Sequence, residues 1–292
     1  MRGKETLSRV CSVCGGSRFT ATPWGHYLLV RCRGCGLVLR WPPPDPSAEA
    51  RYYREAYYQA PNVATWDVRR LELYAGPLRW IEGRVPGRRL LDVGCGYGHF
   101  LVLARDRGWE ATGLEPSIQA AAAARRIPGV RIVEGTVGDL AGSPERFDCI
   151  TAWNVLELVD NPRRDLELLA DLLSPGGWLL VRVLNGTVHH AAWRWGSPLS
   201  RWGGFSPPAI FHNYGFSARA LHDLLGAVGL REISVRNSKL AGHLPDNLGG
   251  IRGLLMMTVA RAVAAAAALL TGGRLRLAPN LLAFARRPGG RG

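Results

Sequence analysis

Lysine is almost missing from this sequence: of 37 basic residues only Lys4 and Lys239 are Lys, and the other 35 are Arg. A GC-rich coding sequence produces that skew, so the formal net charge of +14 does not by itself point to nucleic acid. Acidic residues are scarce near the end, where from Arg231 onward Glu232 and Asp246 face ten basic residues. The last 62 residues therefore carry +8 of the +14, a region suited to an anionic surface or ligand, or simply a solvated basic face. The N-terminal residues MRGKETLSRV hold no apolar h-region, which excludes a secretory signal there and gives the expectation of a cytoplasmic chain. There is also no apolar run of bilayer length. The stretch from Leu254 to Leu270 has 17 residues against the roughly 20 required, and Arg261 at its middle costs about 2.5 to 3.5 kcal/mol on insertion. An interfacial or protein-packed helix is expected instead, flanked by Arg252, Arg274 and Arg276. Cysteine is sparse too, with six in all, and in a reducing compartment they read as metal ligands or small buried groups rather than disulfides.

Four of the six are in a pattern. Cys11, Cys14, Cys32 and Cys35 form C-x2-C-x17-C-x2-C, and Gly15 and Gly36 follow the two pairs. Two turns that each present two thiolates close a tetrahedral Zn²⁺ site, with Tyr27 to Arg31 in the hairpin between them. Four sulfur ligands leave no open position, so this zinc is structural, not catalytic. His26 is then a loop residue. Cys95 and Cys149 are small buried groups near strands. The run WPPPDP, Trp41 to Pro46, breaks any helix or central strand and marks a boundary. Beyond it Ala48 to Gly83 looks helical, with Tyr52, Tyr53, Tyr57 and Tyr58 clustered at its start.

The stretch LLDVGCGYGHFL, Leu90 to Leu101, is a strand, a tight glycine turn and a helix start. Gly94, Gly96 and Gly98 alternate, which departs from the dinucleotide spacing G-x-G-x-x-G. A backbone of that kind approaches a small polar ligand without a Cβ in the way, beside the free N–H groups of a helix N-terminus. Glu115, 23 residues after Asp92, ends the next strand, where an acid accepts the two hydroxyls of a ribose. From Arg88 onward strands alternate with helices, predicting a parallel sheet with strands at 90–93, 110–114, 130–134, 147–152, 179–184, 230–235 and 281–286. Helices are expected at 100–107, 117–126, 164–173 and 217–228, with Ser117 and Ser217 as N-caps.

These motifs resemble those of the class I S-adenosylmethionine (SAM) methyltransferases. The order of ribbon, proline break and paired tyrosines resembles bacterial members with an N-terminal zinc-binding segment, some of which methylate sugars at carbon; quinone-biosynthesis methyltransferases are similar. The resemblance implies a Rossmann-like α/β fold with a seven-stranded sheet whose last strand inserts antiparallel. It divides the chain into a ribbon at 1–45, a helical linker or lid at 46–86, the SAM-binding core at 87–236, an apolar and basic helical insertion at 237–279, and the last strand with a basic tail at 280–292.

Ligands of open α/β sheets bind at the carboxyl ends of the strands. That groups Asp92, Gly94, Cys95, Gly96, Tyr97 and Glu115 with Thr136, Val137 and Asp139 after the third strand and Asn154 after the fourth. In the family the loop after the third strand holds the adenine. FDCITAWNVLELVDNP resembles the family's FDxIxxxxVLEHxxDP, with Leu158 where His is usual. Methyl transfer needs alignment, plus a base where the acceptor loses a proton. The candidate bases are His212, Tyr214, Glu157, His189 and His190. His212 comes first because it precedes a Phe-Ser helix start by four residues, as in the family, while His189 and His190 read as packing or rim residues.

The expected activity is transfer of a methyl group from SAM to O or C of a small acceptor, sugar-, quinone- or polyketide-like, in secondary metabolism. The helix within 251–276 would dock a lipid-linked acceptor, touch a membrane surface or form a dimer face. Two other readings stand beside this one. One is an RNA methyltransferase using the ribbon and the basic surface, against which the ribbon lacks a dense basic and aromatic face. The other is a module that binds SAM or a partner without catalysis, consistent with Leu158.

Overall fold

The computed structural model describes residues 10–59, 71–85, 87–203, 209–239 and 276–289, together with Thr258, Ala266, Leu270 and Thr271. The apolar helix expected within 251–276 thus lies outside the described residues, Thr258, Ala266, Leu270, Thr271 and Arg276 excepted. Among the described residues no helix is long and apolar enough to cross a membrane.

The chain begins with three short strands, β1 (Phe19–Trp24), β2 (Tyr27–Cys32) and β3 (Val38–Trp41), paired antiparallel in sequence order. The proline break follows. Asp45 caps α1 (Pro46–Arg51), its carboxylate accepting from the Ser47 N–H at 2.9 Å. The helical stretch then loosens into a π-turn at Tyr52–Ala56 and a 3-10 turn at Tyr57–Gln59, and α2 (Leu71–Glu82) comes after residues outside the described set.

The main sheet is built from β4 (Arg89–Val93), β5 (Glu110–Glu115), β6 (Arg131–Glu134), β7 (Phe147–Trp153), β8 (Leu173–Leu184), β10 (Arg231–Asn237) and β11 (Asn280–Arg286), in the order β10-β11-β8-β7-β4-β5-β6. The chain's last strand, β11, inserts antiparallel between β8 and β10, and the pairs β8–β7–β4–β5–β6 are parallel. The class I fold implied by the sequence is the fold found. Helices α3 (His99–Asp106), α4 (Ile118–Ala124), α5 (Pro162–Leu172), α6 (Gly186–Gly203) and α7 (Ala218–Ala227) complete it.

Strand residues alternate between two cores, as a sheet covered on both faces requires. Leu91, Val93, Ile150, Ala152, Leu179 and Val181 join one cluster with Leu221 and Leu224 of α7, while Leu90, Cys149, Trp153, Trp178 and Leu180 join another with Phe100 and Leu101 of α3. Each fully buried Leu or Ile in these layers contributes roughly 1.5 to 3 kcal/mol. The first cluster also contains Cys11, Cys32, Cys35 and Leu37, so the N-terminal strands share a core with the sheet.

Two features of the connection between the sheets are not legible in the spacing of the sequence. Strand β9 (Tyr214–Gly215) pairs antiparallel with β3 and becomes the fourth strand of the N-terminal sheet. Helix α6 starts where its Gly186 crosses that strand: a Cβ on Gly186 would lie 2.3 Å from the Gly215 carbonyl, so nothing larger fits. His189 and His190 are buried at 4% and 6% exposure rather than at a rim. His190 meets Thr22 Oγ1 at 3.1 Å and His189 meets the Pro279 carbonyl at 3.0 Å, tying α6 to β1 and to the start of β11.

Candidate functional site

At the carboxyl end of β4 the three alternating glycines take left-handed backbone, with φ of 65° at Gly94, 56° at Gly96 and 80° at Gly98, which caps α3. A Cβ on Gly94 would also meet Val155 Cγ2 at 2.6 Å. The turn is stapled by an acid. Glu115, 3% exposed, accepts the Gly96 N–H on Oε2 at 2.8 Å and the Ser117 N–H on Oε1 at 2.9 Å. A carboxylate held in that place, at the end of the second strand and against the glycine turn, suits the hydroxyls of a ribose laid across it. Asp92 lies beneath, buried, its Oδ1 accepting from the Thr151 hydroxyl at 2.6 Å. Cys95 is buried in the turn, and Tyr97 stands above it with its hydroxyl on the Tyr58 carbonyl at 3.3 Å and the two rings 5.1 Å apart.

Beyond β6, Thr136 and Asp139 close on each other: Asp139 Oδ2 accepts from the Thr136 N–H at 2.7 Å and from its hydroxyl at 2.9 Å, and both are exposed. These hydrogen bonds hold the Asp139 carboxyl below its usual pKa. Val137 is buried just behind. Together they form a rim one strand away from Glu115, since β6 pairs with β5.

After β7 the chain turns through Asn154, whose φ of 59° is left-handed for a residue with a Cβ. Its side chain repays the conformation with a buried network. The Arg182 guanidinium donates to Asn154 Oδ1, and Asn154 Nδ2 donates to Glu157 Oε1 at 2.7 Å. Glu157 is wholly buried and its Oε2 has no hydrogen-bond partner; burial pushes its carboxyl above the usual range. His212 lies on the segment leading to β9. Burial first, then the Arg40 charge, push its imidazole down to about 4. Tyr214 donates its hydroxyl to the Asp160 carbonyl at 2.7 Å, and burial pushes it up to about 12.

The residues grouped from the sequence therefore fall into a shelf, Asp92 to Tyr97 with Glu115, and a polar wall in which Asn154, Glu157 and Tyr214 are joined by hydrogen bonds and His212 lies near Arg40. Joined to the wall are Arg40, Glu49, Arg182 and Asn213, which sequence reasoning did not single out. Asn213 was within reach, because it sits inside the HNYGF segment; nothing in the spacing marks Arg40 or Arg182.

The four N-terminal thiols also converge. Their sulfur atoms all lie within 4.8 Å of one another, with Cys11 and Cys35 at 3.6 Å and Cys14 and Cys32 at 3.6 Å. Sulfurs at 2.3 Å from a tetrahedral Zn²⁺ are about 3.8 Å apart, so the donor set and its size fit that ion. The contact with Cys35 holds the Cys11 thiol below its ordinary range. The Ser217 hydroxyl, which caps α7 by accepting the Ala220 N–H at 2.9 Å, donates to the Cys35 carbonyl at 2.5 Å. The thiol cluster is thus fastened to the segment that carries His212 and Tyr214.

Residues 66–235, more than half of the chain, match the model of a family described as a methyltransferase domain. The chain is 35% identical over 120 residues to the ubiquinone biosynthesis O-methyltransferase of Paracidovorax citrulli (strain AAC00-1), covering 37% of this chain and 50% of that protein. With the enzyme of the same name from Azorhizobium caulinodans it is 31% identical over 179 residues, 56% of this chain and 65% of the relative. The chain spans about half the length of most of the curated relatives it matches. Among solved structures it is similar to the plantazolicin methyltransferase BpumL in complex with SAH, with a TM-score of 0.53 at 15% identity over 82% of this chain and 94% of that one. A SAM-dependent methyltransferase from Archaeoglobus fulgidus gives a TM-score of 0.50 at 17% identity over 75% and 94%.

Proposed function

This chain belongs to the methyltransferase domain family, and from that premise we propose that it transfers a methyl group from SAM to an oxygen of a small, hydroxyl-bearing acceptor. The observation that carries the proposal is the buried Glu115 carboxylate clamped to the N–H groups of Gly96 and Ser117 beside an open glycine turn. The O-methyltransferase names of the relatives favour oxygen over carbon as the methylated atom.

SAM supplies an electrophilic methyl group on a sulfonium. The chain's residues align it: Glu115 would hold the ribose, the glycine turn would admit the backbone-proximal part of the ligand, and the rim of Thr136, Val137 and Asp139 would flank the base. Holding both reactants in line accounts for most of the acceleration such a displacement needs. As the new O–C bond forms, the hydroxyl proton must leave. Glu157 and His212 are the two groups on the wall suited to take it, and burial acts on them oppositely. It strengthens Glu157 as a base and weakens His212, which stays neutral near pH 7. Glu157 is therefore the favoured base, with His212 as an uncharged wall of the acceptor site.

For the thiol cluster we propose one structural Zn²⁺ held by Cys11, Cys14, Cys32 and Cys35. Its role is to fix the two turns, and no step of the transfer passes through it.

The test is transfer of a labelled methyl group from SAM into fractionated bacterial extract, with Gly94→Arg as control. Label in the small-metabolite or organic-soluble fraction supports the proposal. Label that ribonuclease removes would make RNA the acceptor, and absence of transfer by a protein that still binds SAM would favour a non-catalytic binding module.

A further inference from the structure

Near the start of β8, Trp178 is paired with Cys149 of β7 on one side and Arg286 of β11 on the other. Residues two apart on a strand share a face, so Phe284 stands on the same side as Arg286 and Trp178, and Ser234 joins them through its pairing with Phe284. Helix α2 lays Trp80 on this corner, its ring 4.9 Å from that of Trp178 and 4.4 Å from that of Phe284. Between these elements lies a cleft of about 310 Å³, lined by Trp80, Arg84, Trp178, Glu232, Ser234 and Arg286. It is separate from the candidate methyl-transfer site. Trp178 precedes Arg182 of the polar wall on β8 by about 13 Å of strand, towards the amino ends of the parallel strands, whereas the glycine turn follows the carboxyl end of β4.

The cleft carries an excess of positive charge. Arg84 stacks its guanidinium 3.9 Å from the centre of the Trp80 ring and donates to the Trp80 carbonyl at 2.8 Å. Arg286 donates Nε to the Gly176 carbonyl at 3.2 Å and Nη1 to Glu232 Oε1 at 2.7 Å. A guanidinium has five N–H donors, so both keep unspent ones. Arg236 adds a third guanidinium, 5.7 Å from the Trp80 ring, and Glu232 is the one carboxylate of the lining. That carboxylate is brought there by a distortion. Glu232 has a φ of 51°, and the pairing of β10 with β11 shifts register between Arg231 and Ser234. A bulge on an edge strand, as β10 is, re-aims a side chain at a cost in backbone conformation. The pair of Glu232 with Arg286 is well exposed, 56% and 40%, and an ion pair in that setting is weak. An incoming anion can share Arg286 with it.

Aromatic walls beside unspent guanidinium edges select a flat ring that carries an oxyanion. The volume, at the lower end for small-molecule sites, limits that ring to one or two fused cycles. We propose that this cleft is a second ligand site, which binds a small aromatic acid with its carboxylate or phosphate on Arg84 and Arg286 and its ring beside Trp80 and Trp178. Glu232 competes with the ligand for Arg286. The site goes beyond the methyl-transfer reading and does not depend on it.

The test uses the full chain with its zinc, saturated with S-adenosylhomocysteine so that no probe is read at the glycine turn, and titrated calorimetrically with naphthoate, naphthyl phosphate and neutral naphthamide. At least one anion is expected to bind ten-fold or more tightly than the amide, and the tighter of the two identifies the acid group the site takes. Arg84→Gln and Arg286→Gln should each weaken that anion about ten-fold, the loss of a charge-assisted hydrogen bond, and Glu232→Gln should tighten it several-fold. Zinc content and S-adenosylhomocysteine affinity should stay as in the parent. Arg286 also holds the Gly176 carbonyl, so where its variant melts early the exposed Arg84 decides. Equal affinity for anions and amide, binding of neither anion, or unchanged affinity in Arg84→Gln would overturn the site. Weaker anion binding by Glu232→Gln would reverse the sign of the cleft and overturn it as well.

Discussion

The thiol cluster and the glycine turn are both short loops that hold a ligand-sized space open, and they do so by different means. At the cluster four side chains within 4.8 Å define the site, set between β1–β3 and the face of the sheet that Cys11, Cys32 and Cys35 enter, with Ser217 bonded to the Cys35 carbonyl. At the turn the backbone itself is the site, held by Glu115 and backed by the central strands β4, β5 and β7. The difference teaches where each is vulnerable. A side-chain site fails when a ligand atom is lost, and a backbone site fails when a Cβ is added.

The largest effect should come from breaking the first. Removing a ligand by Cys11→Ser, or the ion by chelation, forfeits a metal-binding free energy that reaches about 10 to 16 kcal/mol in small zinc peptides. We expect zinc content to fall and hydrogen-exchange protection to vanish across β1–β3, and also at Tyr214 to Ser217, because β9 and the Ser217–Cys35 contact join them. S-adenosylhomocysteine affinity should survive in whatever protein stays folded; its parallel loss would erase the contrast between the two regions. Gly94→Arg breaks the other side. With a left-handed φ and Val155 in the path, it should weaken cofactor binding beyond calorimetric detection while one zinc per chain remains.

Glu115→Ala sharpens the comparison with a smaller change. It removes charge-assisted hydrogen bonds worth about 1.5 to 3 kcal/mol, so cofactor affinity should fall roughly ten- to hundred-fold; an unaltered titration would show that the staple is dispensable. The smallest effect is a pH dependence. His212 has its pKa lowered to about 4 by burial, so between the ordinary value near 6.5 and about 4 the unfolded chain binds the proton that the folded chain refuses. Its contribution is complete above about pH 6.5 and is lost as the pH falls, about 1 to 2 kcal/mol of it by pH 5. Asp165, Glu157 and Glu49, whose carboxyls burial raises, act in the opposite sense, so the slope is read as the difference between parent and His212→Leu in urea unfolding at pH 7 and 5.

Much of this was legible along the chain. The strands of the main sheet follow from apolar runs punctuated by Gly and Pro, because period and punctuation are local properties, and the antiparallel insertion of the last strand follows from the resemblance to the class I family. Helix α6 was not among the helices expected; in the structure its Trp193 packs with Leu29, Val38 and Phe211 and donates its indole N–H to the Pro23 carbonyl at 2.8 Å, contacts with β1–β3 that lie far away in the chain. The helix expected from Ala48 loosens into a π-turn, where the four tyrosines pack ring against ring at 5.0 to 6.1 Å. Those rings are one to five residues apart in the chain, and helix propensity does not encode the π-turn that brings them together.

By itself the sequence determined the two loops: the spacing of four cysteines, and three alternating glycines between an Asp and a Glu. Each loop is a short local turn whose geometry the backbone nearly dictates, and the partners that complete it lie only 18 to 24 residues away. Only the tertiary structure decided that Arg40 comes to rest against Asn213, and that Asn213 in turn is bonded to Glu49 and the Leu158 carbonyl. Those partners are 55 to 173 residues apart. No local rule reaches that far, because it is the closing of β3 onto β9, driven by burial of the shared core, that puts them side by side.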